Sequence, residues 1–321
     1  MRQTLGEMPP LSSPVVWRRG ACLSGLGFFF DAARSQSLCF VSSAWAVEGR
    51  LNRCGVVLFT EATAALCSAV QGPVLCPQLV SPPGRPFTWG KLRLELFPNG
   101  DMPGSAALWI RLPDGHRVVY AGTPSEEPMP NGQPLSVRPA DTLVLSASCA
   151  AQHSHIPSDD EILGALFEEQ KRAREQGVPL CVRVSSPNRL ARLKQQLGDA
   201  PVRLHRRLRV LFEKVCGVRP PVSLSYTPLA GEIVLCPLWE LPTWAFRGAR
   251  VWTFPDGLAQ DDLVQFATAC GAQKVLLLSG FSEQVADALG RLGVSCEALA
   301  PPFQLPLFAP PSEQPPRTSS M

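Results

Sequence analysis

The chain lacks the cysteine and histidine patterns that mark zinc fingers and disulfide-stabilised proteins. Its 11 cysteines stand singly, with no C-x-x-C pair and no zinc-finger spacing, and only 4 histidines occur in 321 residues. Most of the cysteines lie in apolar, strand-like surroundings, where a free thiol behaves as a small hydrophobic side chain. The pattern therefore argues against a disulfide framework.

Long apolar runs and strong net charge are also missing. The most apolar N-terminal run, residues 21–30, is much shorter than the roughly 20 residues of a transmembrane helix, and no small-residue cleavage pattern stands near Met1. We therefore expect a cytoplasmic protein without membrane contacts. A net charge of +3 is too small to indicate nucleic-acid binding, so any basic patch must be local.

Several segments share one arrangement, in which an apolar run or turn leads into a short polar loop. The first follows an apolar strand that ends at Asp31. In chain order the segments are FVSSAWAVE at 40–48, LFPNGDMPGSA at 96–106, VVYAGT at 118–123, DTLVLSASC at 141–149, PDGLAQDDL at 255–263 and KVLLLSG at 274–280.

In this order and spacing the segments resemble the motifs of the metallo-β-lactamase-fold β-CASP nucleases, in particular the ligase-associated DNA exonucleases and the RNA 3′-end-processing-factor-like proteins. The resemblance spans residues 14–308. It implies an α+β fold, a four-layer αββα sandwich with a compact α/β domain of the β-CASP type inserted into it. It also implies that the polar loops converge at one edge of the sandwich.

The resemblance further implies that the family's chemistry is missing. In the family, the loop that aligns with residues 40–48 reads T-H-x-H-x-D-H. The later motifs of the family contain a ligand His, an Asp that bridges two metal ions, an acidic residue, a general-acid His preceded by an Asp, and a last ligand His. The corresponding positions of this chain are Ser43, Trp45, Val47, Glu48, Asp101, Thr123, Ser146, Asp256, Gly257 and Ser279.

These replacements predict a protein without zinc or any other cofactor, because too few nitrogen or carboxylate ligands remain. We therefore interpret the chain as a pseudoenzyme that works through binding, beside an active homologue or other nucleic-acid-processing proteins. An alternative is a hydrolase with a rebuilt site, in which Glu48, Asp101 and Asp256 hold a hard metal such as Mg²⁺. Asp31, at its strand end, is expected to have a structural role.

The domain organisation follows from the same comparison. Residues 1–13 and the Pro-rich tail 309–321 are predicted to be disordered. The metallo-β-lactamase-like domain is expected to comprise residues 14–155 and 246–308, with the insertion at 156–245. Within them, Ser158 and Glu161 predict the start of a helix that runs to about Gln176, and a β-α-β unit is expected from Val251 to Leu278.

The strongest charge bias is the basic stretch at residues 189–219. A helix predicted over residues 203–214 would place Arg203, Arg206 and Arg207 on one face, opposite leucines. The face is either solvated or attracts phosphate, since nucleic acid passes between the two domains of the nucleases that the chain resembles. A nucleic-acid-binding module is therefore a further alternative.

Overall fold

The computed structural model describes residues 13–32, 36–46, 51–128, 132–184, 188, 202–204, 206–216, 228–237 and 248–300. The chain is a mixed α/β protein with several sheets. The two segments predicted to be disordered, apart from residue 13, and the positions Val47 and Glu48 lie outside the described residues.

The first sheet has six strands in sequence order. Its first three strands are antiparallel and the remainder are parallel. The strands are β1 Val15–Trp17, β2 Ala21–Leu23, β3 Phe28–Phe30, β4 Leu38–Phe40, β5 Val56–Phe59 and β6 Gln78–Val80.

The second sheet has seven strands, in the order β17-β16-β11-β10-β9-β8-β7. Strands β7 to β10 form an antiparallel meander, whereas β10, β11, β16 and β17 run parallel. Their bounds are β7 Phe87–Trp89, β8 Leu92–Pro98, β9 Ala106–Arg111, β10 Arg117–Gly122, β11 Thr142–Ser146, β16 Lys274–Ser279 and β17 Ser295–Ala298.

The third sheet is all parallel and has four strands, in the order β13-β14-β12-β15. These are β12 Leu180–Val184, β13 Val202–Leu204, β14 Ile233–Pro237 and β15 Arg250–Thr253. The described helices are α1 Glu61–Gln71, α2 Asp159–Glu175, α3 Arg206–Cys216, α4 Gln260–Cys270 and α5 Glu283–Gly290. None of the helices in the described segments has the length and apolar character needed to cross a bilayer.

Alternation of apolar and polar residues explains how the first two sheets share a core. In β8, Leu92, Leu94 and Leu96 are buried, whereas Arg93 between them is exposed. The three leucines belong to one hydrophobic cluster that also contains Phe28, Phe40 and Leu58 of the first sheet and Leu108, Val118 and Tyr120 of the second. This cluster is the layer between the two sheets.

The outer faces of these sheets are covered by helices. On the second sheet, Leu143 and Val275 share a cluster with residues of α4 and α5, including Phe266 and Leu289. On the first sheet, the outward residues share a cluster with α1, α2, α3 and the third sheet; this set includes Val57, Phe59, Cys67, Leu166, Val182 and Leu211.

Two predictions made for the second half of the chain meet different outcomes. The helix start at Ser158 is confirmed, because the Ser158 side chain accepts from the Glu161 N–H and the Glu161 carboxylate accepts from the Ser158 N–H. The predicted β-α-β unit is wrong in its pairing. Strand β15 lies beside β12 in the third sheet, so the chain joins the second sheet only at β16.

Candidate functional site

The ends of the parallel strands in the second sheet bring several predicted positions to one edge. In the register, Gly122 of β10 lies beside Leu145 of β11, and Ser146 lies beside Ser279 of β16. Thr123 directly follows β10. Because carboxyl ends of parallel strands meet at the same sheet edge, Thr123, Ser146 and Ser279 lie along that edge.

The loop that carries Asp101 is held against the end of β10 by Asn99, a fully buried residue. The Asn99 amide donates to the carbonyl of Ala121 at 3.1 Å. Its side-chain oxygen accepts from the N–H of Asp101 at 3.2 Å and from the hydroxyl of Ser105 at 2.7 Å. These bonds fix Asp101 beside the start of the Thr123 loop.

Glycine at two motif positions permits close approach of neighbouring loops. At Gly100, where φ is +77°, a Cβ atom would lie 1.8 Å from the carbonyl oxygen of Ser125. At Gly280, where φ is +83°, it would lie 1.7 Å from the carbonyl oxygen of Ala147. Only glycine fits both the left-handed conformation and the contact at these positions. Glycine at these two positions therefore lets the loops that contain Gly100 and Gly280 contact the loops that contain Ser125 and Ala147, respectively.

Asp31 fixes the first loop of the site. Its carboxylate accepts from the Ser42 N–H at 2.7 Å, the Ser42 hydroxyl at 2.5 Å and the Tyr120 hydroxyl at 2.9 Å. This geometry agrees with the structural role expected for Asp31. Ser43, the residue after Ser42, donates its hydroxyl to the sulfur of Met102 at 3.3 Å, and the same hydroxyl accepts from the N–H of Trp45 at 3.0 Å. The first loop thus lies against the Asp101 loop.

A cavity of ≈ 280 Å³ brings four of the predicted positions together: Asp101, Thr123, Asp256 and Gly257 all line it. Asp101 and Asp256 are each only 2% exposed. The other described positions lie outside its lining, with Ser43 and Trp45 beside the Asp101 loop and Ser146 and Ser279 paired further along the sheet edge.

Other polar residues of the cavity were missed by the sequence comparison; they are Ser125, Glu126, Glu127, Asn188 and Asp262. Asn188 is buried and donates its amide to the Glu127 carbonyl at 2.5 Å and the Ser125 hydroxyl at 3.1 Å. Asn188 belongs to the segment that follows β12 of the third sheet, so this segment contacts the wall of the cavity. The acidic pair Glu126-Glu127, which follows the 118–123 motif after two residues, was the sequence signal from which these cavity residues could have been predicted.

The cavity is strongly acidic. Its carboxylates are those of Asp101, Glu126, Glu127, Asp256 and Asp262, and His155 also lines it. Burial raises the pKa of Glu126 above its usual value, and the nearby carboxylates of Asp262 and Glu127 raise it further. The exposed ring of His155 lies 3.1 Å from the carboxylate of Asp261.

The described residues contain no group of three or more His, Cys, Asp or Glu side chains that could hold a metal ion. Of the carboxylates considered for a hard metal, Asp101 and Asp256 share the cavity, whereas Glu48 lies outside the described residues. Thr123 and Gly257 contribute neither a carboxylate nor an imidazole to the lining. The zinc content itself stays a prediction.

The structure corrects the predicted basic helix. Arg203 lies on strand β13, and the helix begins only at Arg206. The Arg203 guanidinium forms an ion pair with Glu232, both side chains being largely buried. Arg206 and Arg207 belong to α3, but their side chains lie outside the described part of the chain. A single helix that carries all three arginines is therefore wrong.

Comparison with known proteins gives weak likenesses. No profile of a known protein family matches the chain. The chain is 23% identical over 326 residues to a protein of Opitutus terrae named probable DNA ligase, and the match covers 91% of this chain but 32% of that protein. The chain thus spans about a third of the length of this relative.

Solved structures give likenesses of low score. A protein of unknown function from Enterococcus faecalis V583 aligns over 83% of this chain and 79% of its own, with 13% identity and a TM-score of 0.43. A metallo-β-lactamase from Cronobacter sakazakii aligns over 30% of this chain and 42% of its own, with 18% identity and a TM-score of 0.25. At these scores neither likeness bears on the activity of this chain.

Proposed function

We propose that this chain is a metallo-β-lactamase/β-CASP-like protein that has lost metal-dependent hydrolysis and acts by binding in nucleic-acid processing. Its partners would be an active homologue or other nucleic-acid-processing proteins in the cytoplasm. The observation that carries the proposal is the cavity shared by Asp101, Thr123, Asp256 and Gly257. These residues come from three separate motifs, and their convergence is what a retained cleft requires.

The lining supports loss of hydrolysis. Metal-dependent phosphodiester cleavage needs ions that polarise the phosphate and activate a water molecule. Thr123 stands where the family pattern has the bridging carboxylate, and Gly257 stands where it has the general acid. Neither side chain binds a metal strongly or transfers a proton at neutral pH.

The layering supports the proposed fold. Two sheets share one core, α1 covers the outer face of the first, and α4 and α5 cover the outer face of the second. This is the arrangement expected of a four-layer αββα sandwich. In this interpretation the third sheet with α2 and α3 is the inserted β-CASP-like domain. Because β15 Arg250–Thr253 belongs to that sheet, we propose that the insertion runs to about residue 253 rather than to 245.

The name of the Opitutus terrae relative, probable DNA ligase, supports the link to nucleic-acid processing. Since this chain matches about a third of that protein, we propose that it works beside a larger nucleic-acid-joining machinery. In the alternative in which the chain is a nucleic-acid-binding module, nucleic acid would contact the basic stretch at residues 189–219.

Metal analysis combined with a nuclease assay tests the proposal. We expect elemental analysis of the purified chain to find no stoichiometric zinc, because Thr123 and Gly257 cannot serve as ligands. We also expect no cleavage of single-stranded DNA or RNA with Mg²⁺, Mn²⁺ or Zn²⁺. Tightly bound zinc at one or more ions per chain would refute the loss of the metal site.

The rebuilt-site alternative has its own discriminating variant. If cleavage appears with Mg²⁺ or Mn²⁺, Asp101→Asn and Asp256→Asn should each abolish it when those carboxylates hold the metal. Asp287→Asn, which changes an exposed carboxylate of α5, is the matched control. Cleavage that survives both cavity variants would point to a contaminating nuclease and leave the binding function standing.

A further inference from the structure

Two cysteines in the centre of the third sheet have their sulfur atoms 3.1 Å apart. Cys181 lies on β12 and Cys236 on β14, and both are fully buried. In the parallel register Cys181 faces Val234 and Cys236 faces Arg183, so the two cysteines are diagonal neighbours on one face of the sheet. They form a small cluster of their own, away from the three large cores.

The surroundings of the pair favour the ionised form of Cys181. Cys236 also lies 3.6 Å from the carbonyl oxygen of Val182, which is an alternative acceptor when its S–H does not point to Cys181. The pKa of Cys181 is lowered, first by the hydrogen bond from Cys236 and to a smaller extent by Arg183, while burial opposes the change. A lowered pKa favours the thiolate of Cys181, which is the reactive form of cysteine.

We propose that Cys181 and Cys236 are an oxidisable pair that forms a disulfide between β12 and β14 when a peroxide reaches the third sheet. The sulfur atoms are about 1 Å further apart than the roughly 2.05 Å of a disulfide bond. Diagonal positions on neighbouring strands lie about 7–8 Å apart, at or beyond the usual Cα separation of a disulfide, so the two strands must also shift for the bond to form. Their separation in sequence, |i−j| of 55, means that the bond would close a long loop. The other described cysteines are free as well.

The chemistry balances with hydrogen peroxide as the two-electron oxidant. The Cys181 thiolate attacks one peroxide oxygen, so an S–O bond forms, the O–O bond breaks and hydroxide leaves with the proton that the thiol released, as water. The Cys236 thiolate then attacks the sulfenic sulfur, the S–O bond breaks, and the S–S bond forms as a second water is produced. The two thiols are oxidised and the peroxide is reduced to two water molecules.

The bond would act on the part of the chain that reaches the acidic cavity. Strand β12 ends at Val184, and Asn188 a few residues later donates to the wall of the cavity. A disulfide between β12 and β14 would restrain the end of β12, from which the segment that contains Asn188 begins. The inference does not depend on the proposed function, since it rests on the distance between the two sulfur atoms and on the pairing of the two strands.

Peptide mapping of the full chain tests the proposal. The folded protein is treated with hydrogen peroxide, blocked with N-ethylmaleimide, digested without reductant and analysed by mass spectrometry. We expect a cross-linked peptide joining Cys181 to Cys236, with two hydrogen atoms fewer than the separate peptides, and its loss on addition of dithiothreitol. The chain unfolded in guanidinium chloride should give this cross-link at least tenfold more slowly, because proximity is lost.

Matched variants decide between outcomes. Cys181→Ser and Cys236→Ala should each remove the cross-link, whereas Cys270→Ser, at a buried cysteine of α4, should leave it intact. Circular dichroism establishes that each variant is folded. A folded chain that shows no Cys181–Cys236 cross-link overturns the proposal. Equal rates in the folded and unfolded chain overturn it too.

Discussion

At the scale of single residues, Asp31 connects the first loop to both sheets. Its carboxylate connects the end of β3 to Ser42 and, through Tyr120, to the second sheet. The Tyr120 ring in turn stacks on Phe30 with ring centroids 4.5 Å apart. One buried carboxylate thus joins both sheets on the side where the motifs converge.

Asp31 should make stability depend on pH. Burial raises its pKa from 3.8 to about 6, although the Ser42 and Tyr120 hydrogen bonds act in the opposite direction. Between about pH 4 and pH 6 the folded protein holds a proton that the unfolded chain has released, so the free energy of unfolding falls as pH rises through this window. We expect Asp31→Asn to remove about 2 kcal/mol of this fall.

Urea denaturation of the wild type and the variant from pH 4 to pH 7 measures this difference. Asn also tolerates the positive φ of +43° at this position, so backbone strain does not confuse the comparison. Asp287→Asn, at an exposed carboxylate, serves as the control and should follow the wild-type curve. Parallel curves for wild type and Asp31→Asn would contradict the prediction.

Gly100 offers a second test at this scale. Gly100→Ala should destabilise the protein by about 3 kcal/mol, since the new methyl group meets the Ser125 carbonyl and the backbone conformation is strained. Gly115 has a similar φ of +91° but nothing within 4 Å of the added atom, so Gly115→Ala should cost only about 1 kcal/mol. Equal losses in chemical denaturation would show that contact with the Ser125 loop is unimportant.

At the scale of elements, local signals were sufficient where the helix or strand is determined by its own residues. The capping box at Ser158 and Glu161 predicts α2, and alternation in β8 predicts which leucines are buried. The helix predicted over residues 203–214 is wrong at its start because Leu204 fits a helical period with Leu208 and Leu211. Pairing with β14, a partner distant in sequence, decides that Val202–Leu204 is a strand, and no local pattern contains that information.

This correction changes what Arg203 is expected to do. Because it forms an ion pair with Glu232 in the third sheet, Arg203→Gln should lower the free energy of unfolding by about 1–2 kcal/mol. It should leave the salt dependence of any nucleic-acid binding unchanged. Lys214→Gln, at an exposed residue of α3, is the control for stability.

Binding measurements across salt concentrations separate these roles. If the basic stretch binds nucleic acid, Arg206→Gln with Arg207→Gln should weaken binding and reduce the log–log salt slope by about one unit for each lost phosphate contact. A slope that falls on Arg203→Gln would mean that its guanidinium leaves Glu232 to reach phosphate. Absence of binding at low salt would leave the basic stretch as a solvated surface.

At the scale of the whole molecule, the order of the motifs predicts which positions meet, but not what else surrounds them. Asp101, Thr123 and Asp256 belong to recognisable segments, so their shared cavity could be foreseen. Asn188 could not be foreseen, because the route of the chain after β12 decides that its side chain reaches the Glu127 loop. The acidity of the cavity likewise results from carboxylates in separate loops, which sequence order does not bring together.

The position of β16 in the second sheet has a consequence for synthesis. Strand β16 lies between β11 and β17, yet β11 is translated long before residues 274–279 emerge from the ribosome. Until then β11 presents an open, apolar edge, which is the kind of surface that chaperones bind and that promotes aggregation. A chain that ends after Cys270 would therefore lack β16 and β17, and its seven-stranded sheet would be unfinished.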